Sequence, residues 1–314
     1  MNGPASPARS RWRAALPVGV LAIVWGLNWP ILKIGVSELP PLTFRALTLP
    51  FAALGLFAVA HPAGEGVCVP RAWWLRVSTL AFFNIAGWNG LLLFGVQQMA
   101  AGRSAILAYT MPIWATAIGA FVLDEPLSTR KIVGLVLGTA GMALLLGDEF
   151  RTIGSSPFAA AMILGAALSW AIGTVLLRKW KPPIPQNTVT GWMMLVGWVP
   201  LALLAPFFDP TPLTDVLAHM NGRAWFAVLY NVFLAGTIAH AAYFTLARTL
   251  PVAVSSLASL PVPVVGVFAG MLVLGERPGA QEWFALALVV AALFIVMFRP
   301  AHGQPGVAPL APDD

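Results

Sequence analysis

The residues of this chain that could do chemistry are polar and aromatic side chains inside long apolar segments. A polar group in such a segment costs free energy unless it has a partner, so each is a candidate for contact with a solute. Asn84 and Trp88 lie four positions apart in the apolar segment 73–98, which places them on one helical face, and Asn89 follows directly. The candidate solute-binding residues are Trp25, Asn84, Trp88, Asn89, Tyr109, Trp170, His240, Tyr243, Ser256 and Ser259.

Several of these candidates have a second interpretation. The asparagines can instead hydrogen-bond neighbouring helices. Trp25, Trp88 and Trp170 lie deeper in their segments than interfacial tryptophans do, and they suit either a flat or apolar solute or ordinary packing. We predict contact with a solute and leave packing open.

His240 is the one histidine well inside an apolar segment. Histidine is the side chain that titrates near neutral pH, so proton coupling through His240 is a hypothesis, beside a purely structural hydrogen bond. Tyr243 lies three residues further on and shares its helical face.

Pro112 and Pro263 occupy corresponding positions in two similar apolar stretches, 104–125 and 255–276. Proline removes a backbone donor and kinks a helix, which frees carbonyl groups that can face a cavity. Paired kinks predict positions where the two halves of the chain bend as gates. A static kink that serves packing is the alternative.

No recognisable catalytic or metal motif accompanies these residues. The sequence has no Walker loop, no His-Glu-x-x-His motif and no cluster of histidine, cysteine and acidic residues at ligand spacing, and its single cysteine is Cys68. We therefore expect no enzyme activity, no metal and no cofactor.

Charged side chains are expected away from the centres of the apolar segments. Lys33, Arg45 and Arg103 should extend towards the outer interface. A cavity without fixed charge favours neutral or zwitterionic solutes. A contact between Lys33 or Arg45 and an anionic solute at the cavity mouth stays open.

The composition places all these residues in a lipid bilayer. Hydrophobic residues make up 59% of the chain and charged residues 10%, whereas a soluble domain carries about 25% charged residues. The net charge of +6 comes from basic residues scattered over loops, so no nucleic-acid partner is expected. A bilayer core requires roughly 20 apolar residues per helix. We predict ten spans, near 15–34, 42–60, 73–98, 104–123, 131–147, 157–178, 188–208, 224–247, 252–274 and 281–298.

The two halves of the chain repeat one another. A shift of 151 positions pairs Pro112 with Pro263, Glu125 with Glu276 and Asn89 with His240. Five spans per half is an odd number, so the second half must cross the membrane in the opposite sense to the first. The predicted fold is an all-α integral membrane protein with ten transmembrane helices as two inverted five-helix repeats.

The distribution of basic residues predicts the orientation. With the N-terminus inside, twelve lysines and arginines fall on the cytoplasmic side and six on the outer side, which favours two cytoplasmic termini. The predicted division of the chain is a cytoplasmic N-terminal segment at 1–14, repeats at 15–148 and 157–298, and a Pro/Gly-rich disordered tail at 299–314.

The block PIWATAIGAFVLDEPLS at 112–128, its echo PVPVVGVFAGMLVLGERPG at 261–279 and the ten-span layout resemble the EamA-type branch of the drug/metabolite transporter superfamily. The resemblance covers about 15–298. The chain departs from the family pattern in the last span, where the Gly-rich motif of 134–141 has no counterpart.

This resemblance implies a carrier of the bacterial inner membrane, in many members an exporter of amino acids or other small metabolites. We expect a small-molecule substrate, the lipid bilayer as surroundings and alternating access between the two halves. A monomer is compatible with this arrangement. The alternatives are an uptake carrier for a vitamin- or nucleoside-like solute on the same fold, and a membrane protein that transports nothing.

Overall fold

Helices form almost all of the structure, a computed structural model that describes residues 7–151, 156–209, 211–242 and 260–297. These described ranges contain no β-strand. The predicted residues Tyr243, Ser256 and Ser259 lie outside them.

The first half of the chain forms five apolar spans. The third span is a composite of a short 3₁₀ turn, an α-helix, a π-helical segment and a second α-helix. The fourth is two α-helices joined at Tyr109 and Thr110. The helices are Pro7–Glu38 (first span), Pro41–Ala60 (second), Arg71–Trp73, Trp74–Ala81, Phe82–Gly87 and Trp88–Gln98 (third), Ala101–Ala108 and Met111–Val122 (fourth), and Thr129–Arg151 (fifth).

The second half repeats this plan as far as it is described. The eighth span is again a composite of an α-helix and a π-helical segment, and the short helix Leu213–Ala218 precedes it. The helices are Pro157–Trp180 (sixth span), Gln186–Phe208 (seventh), Gly222–Leu229 and Tyr230–Ile238 (eighth), Pro261–Leu274 (ninth) and Ala280–Met297 (tenth).

Hydropathy explains why these segments form membrane helices. In the described ranges, nine helices are long and apolar enough to cross a bilayer, and Pro261–Leu274 is a shorter apolar helix. A side-chain cap and a left-handed glycine determine where two of these helices begin or end. Asn221 accepts a hydrogen bond from the Ala224 backbone N–H at 2.9 Å and so begins the eighth span. Gly275, with a φ of 70°, ends the ninth in the left-handed conformation that glycine favours.

The π-helical segments of the third and eighth spans occupy related positions. A shift of 151 carries Phe82–Gly87 onto 233–238, inside the segment Tyr230–Ile238. A π-helical turn widens the helix and re-aims its side chains, and such turns are frequent at functional sites. The repeat therefore extends to an irregularity of the backbone that hydropathy does not reveal.

The two predicted proline kinks have different surroundings. The fourth span is interrupted just before Pro112, and the Thr110 hydroxyl donates to the Leu107 carbonyl at 2.6 Å. Pro263 lies in the first turn of Pro261–Leu274, which is continuous. The first backbone N–H groups of a helix have no intrahelical partner, so proline there does not break the helix.

The main helix contacts join the two halves of the chain. The first span packs against the ninth, the second against the seventh and eighth, the third and fourth against the sixth, and the fifth against the tenth. These contacts interleave the halves around a shared interior, which is where a cavity between them must lie.

Candidate solute-binding cavity

A cavity of about 160 Å³ lies among seven spans, the first four together with the sixth, seventh and eighth. Its walls are mostly apolar, and a few polar groups project into it. Six of the predicted residues line it: Trp25, Trp88, Asn89, Tyr109, Trp170 and His240. The structure thus brings residues from both halves of the chain into one site.

Aromatic rings form pairs in the cavity wall. The ring centroids of Trp88 and Trp170 are 5.1 Å apart, which places the third span against the sixth. Trp29, which sequence patterns did not single out, meets Tyr109 edge-on at 6.3 Å. Such pairs are rigid apolar surfaces on which a flat or apolar solute can lie.

Trp25 and His240 contact each other across the two halves. Their rings meet edge-on with centroids 5.5 Å apart. The Trp25 indole N–H donates to the Ala235 carbonyl at 3.4 Å, and the His240 Nδ1 lies 2.8 Å from the same oxygen. Because a carbonyl oxygen only accepts, Nδ1 carries the proton in this contact.

The two asparagines of the third span differ in their surroundings. Asn89 lines the cavity, and its amide donates to the Ile85 carbonyl of the same helix at 2.8 Å. Asn84 does not line the cavity but packs against Gly173 of the sixth span, where a Cβ would lie 1.3 Å from the Asn84 Oδ1. Asn84 therefore marks a close contact between helices.

A buried arginine is the main feature that sequence reasoning missed. Arg45 is 7% exposed and lines the cavity, so the expectation that it extends towards the outer interface is wrong. Its Nη1 donates to the Asn231 Oδ1 at 3.0 Å, an interaction between the second and eighth spans. The expectation of a cavity without fixed charge is therefore also wrong.

Lys33 and Arg103, which were expected at the outer interface together with Arg45, interact with other parts of the protein. The Lys33 ammonium donates to the carbonyls of Val96 at 2.9 Å and Gln97 at 2.8 Å, at the end of the third span. Arg103 forms an ion pair with Glu282. Of the three, only Arg45 lines the cavity.

Two glutamates at related positions hold the ends of spans. The Glu276 carboxylate accepts from the backbone N–H groups of Ala101 at 2.6 Å and Gly102 at 2.9 Å, where the fourth span begins. Glu125, its counterpart, pairs instead with Lys131 at 2.9 Å and with Arg178. The hydrogen bond from Lys131, together with the charges of Lys131 and Arg178, holds the pKa of Glu125 below its usual value.

The described ranges hold no group of three or more histidine, cysteine and acidic residues placed to bind a metal ion. What the cavity does offer is a cation, neutral amides and aromatic surfaces. Among the amides, the Asn28 Oδ1 is buried and has no hydrogen-bond partner in the described structure. This set can bind a small polar solute that also has an apolar part.

Curated relatives span nearly the whole chain. "Uncharacterized transporter YoaV" of Bacillus subtilis (strain 168) is 27% identical over 90% of this chain and 96% of its own length. "Probable amino-acid metabolite efflux pump" of Escherichia coli (strain K12) is 28% identical over 89% and 94%. "Uncharacterized inner membrane transporter YedA" of the same organism is 28% identical over 96% and 98%.

A solved crystal structure has the same fold. It matches with a TM-score of 0.65 at 20% identity, over 91% of this chain and 97% of its own. At that identity the likeness supports the all-α architecture alone.

The family model called "EamA-like transporter family" matches residues 13–147 and 157–298, one match in each half. Together the two matches cover most of the sequence, and they agree with the helical spans and with the relatives named as transporters. The chain is an all-α, multi-pass membrane protein that belongs to the EamA-like transporter family, a branch of the drug/metabolite transporter superfamily.

Proposed function

We propose that this protein moves a small organic metabolite, an amino acid or a similar solute, outwards across the bacterial inner membrane by alternating access. The observation that carries the proposal is the cavity enclosed by helices of both halves, with Trp25 and His240 in contact across it. A solute held between two inverted repeats can be released to either side when one repeat moves against the other.

The proposed binding residues are those that face this cavity, together with three predicted positions outside the described residues. Trp88, Trp170 and Trp25 supply apolar contact, while Asn89, Tyr109 and His240 supply polar groups. Tyr243, Ser256 and Ser259 stay predicted binding residues. Asn84 lies beside the cavity, where it contacts the sixth span. Pro112 and Pro263 stay predicted gate positions.

We further propose the arrangement expected from the sequence, with repeats at 15–148 and 157–298 between terminal segments at 1–14 and 299–314 that face the cytoplasm. The outward direction is supported by the relative named as an amino-acid metabolite efflux pump, 28% identical to this chain. The inner membrane is supported by the relative named as an inner membrane transporter.

His240 is the proposed site of proton coupling. It lines the cavity, its Nδ1 lies 2.8 Å from the Ala235 carbonyl oxygen, and Arg45 is a second basic group in the cavity lining. Coupling predicts that transport by the His240→Gln variant no longer follows an imposed pH gradient. An unchanged gradient dependence would assign His240 a structural role.

Metabolite profiling tests the proposed function. Cells that overproduce the protein are compared with cells that produce equal amounts of Trp88→Ala, and metabolites are measured inside the cells and in the medium. We expect at least one metabolite to be enriched outside and depleted inside, and the variant to lower its export roughly tenfold because it removes an aromatic contact surface.

Trp225→Ala is the matched control, because Trp225 is 46% exposed and does not line the cavity. It should export as the unmodified protein does. Accumulation inside the cells would reverse the direction to uptake. Equal profiles for the unmodified protein and Trp88→Ala would contradict the proposed cavity.

A further inference from the structure

Arg45 is a cation inside the helix bundle that has no anionic partner among the described residues. It is 7% exposed, and within the described residues its guanidinium forms one hydrogen bond, from Nη1 to the neutral amide oxygen of Asn231. Its Nε is buried and has no hydrogen-bond partner among the described residues. In the described structure no carboxylate forms an ion pair with Arg45, and none of the residues that line the cavity is acidic.

Such an arrangement costs free energy. An arginine does not lose its proton in proteins, so it cannot escape burial by becoming neutral. A buried charge requires a counter-charge or several hydrogen bonds. The Asn231 amide and the face of the Phe44 ring, whose centroid lies 5.3 Å from the guanidinium carbon, supply only part of that. The site is therefore incomplete without an anion.

The chemistry of the cavity indicates which anion completes it. A guanidinium presents its N–H groups as a planar fork that matches the two oxygens of a carboxylate. One arginine balances one negative charge, which suits a carboxylate better than a doubly charged phosphate. The tryptophan rings of the same cavity provide the surface for an apolar or aromatic body.

We propose that Arg45, positioned by Asn231, binds the carboxylate of the transported solute, so that the cargo is a small monocarboxylate with an apolar or aromatic body, amino acids included. This assignment rests on the proposed transport function. It replaces the expectation of an uncharged site: a zwitterionic amino acid fits because its carboxylate meets Arg45, whereas a neutral solute without a carboxylate leaves the cation unpaired.

A structural role for Arg45 makes the opposite prediction for stability. If Arg45 served mainly to join the second and eighth spans through Asn231, Arg45→Met would lower the melting temperature of the purified protein. If Arg45 is an anchor for cargo, the variant removes an unpaired buried charge at similar side-chain volume, and the melting temperature stays equal or rises.

The test uses purified full-length protein in detergent and three matched pairs of probes. Benzoate, phenylalanine and leucine are each compared with the corresponding amide, which has nearly the same shape but lacks the carboxylate. A ligand that binds only the folded protein raises the melting temperature with its concentration. We expect at least one carboxylate to stabilise the protein and its amide to have no comparable effect.

Arg45→Met should weaken the apparent affinity for that carboxylate by roughly 30-fold or more, the effect of removing one partner of a buried charge pair. Arg71→Met is the matched control, since Arg71 is exposed at the start of the third span and does not line the cavity. It should bind as the unmodified protein does. Equal stabilisation by acid and amide, no stabilisation by any of the three acids, or unchanged binding by Arg45→Met would overturn the proposal.

A transport measurement separates this proposal from the proposed function. If the protein binds carboxylates through Arg45 but moves none of them in vesicles, Arg45 is a carboxylate-binding residue and the proposed transport function is wrong. If the unmodified protein and the Arg45→Met variant move solutes that lack a carboxylate equally well, the protein is a transporter and the role proposed for Arg45 is wrong.

Discussion

At the scale of single residues, the cavity combines aromatic walls with a buried cation, Arg45. Trp25, Trp88 and Trp170 could be selected because their depth in apolar segments follows from chain position alone. The position of Arg45 could not, because its contact with Asn231 joins residues 186 positions apart. Whether a basic residue near a helix end reaches the interface or the interior depends on which neighbour covers it.

Asn231→Asp tests the role of that contact. The substitution places a carboxylate against Arg45, so an internal ion pair takes the place of the cargo's carboxylate. We expect the stabilisation by carboxylate probes to be lost or to require about tenfold higher concentrations. Melting temperatures with and without probe measure this effect.

Asn231→Leu is the companion variant, because it removes the hydrogen bond but leaves the cation unpaired. It should retain more carboxylate binding than Asn231→Asp. If the aspartate variant bound the probes as tightly as the unmodified protein, the assignment of Arg45 as an anion site would be wrong.

At the scale of helices, hydropathy predicted where spans run but not where they become irregular. The second span was expected at 42–60 and is Pro41–Ala60, because a stretch of apolar residues between prolines and loops has few alternatives in a bilayer. The π-helical segments Phe82–Gly87 and Tyr230–Ile238 were not predicted. A change of hydrogen-bond register within a helix depends on packing against other helices, which composition does not encode.

Gly173→Ala tests the contact between the third and sixth spans. A Cβ at this position would lie 1.3 Å from the Asn84 Oδ1 and 3.2 Å from the Phe83 Cβ, so the buried Asn84 side chain must leave its position or the two helices must move apart. We expect a loss of roughly 1–3 kcal/mol in stability, typical of overpacking, measured as a lower melting temperature in detergent.

Gly19→Ala is the control, since nothing lies within 4 Å of a Cβ added there, and it should not destabilise the protein. Combining Gly173→Ala with Asn84→Ala should recover much of the loss, because the clashing amide is removed. Equal melting temperatures for Gly173→Ala and the unmodified protein would contradict the close contact.

At the scale of the whole molecule, corresponding segments of the two repeats form the cavity together. The two halves have π-helical segments at related positions in the third and eighth spans, and these spans contribute Asn89 and His240 to one cavity. The related glutamates Glu125 and Glu276 nevertheless have different partners. Two similar halves in two different local arrangements are what alternating access requires, since only one side opens at a time.

The repeat itself could be found in the sequence because it preserves residue types at a fixed spacing of 151. Its packing could not be found in this way. The contacts of the first span with the ninth and of the fifth with the tenth join distant parts of the chain, and matching hydropathy does not select one partner over another.

The most direct test of a solute pathway through this cavity is efflux from vesicles made with purified protein. Vesicles are loaded with an equimolar mixture of the common amino acids, and the external solution is analysed by mass spectrometry over time. We expect at least one amino acid to leave vesicles that contain the unmodified protein or the Trp225→Ala variant faster than it leaves protein-free vesicles. Vesicles with Trp88→Ala or Arg45→Met should release it at close to the protein-free rate. Release that is equal in all vesicles, with or without protein, would contradict a solute pathway through this cavity.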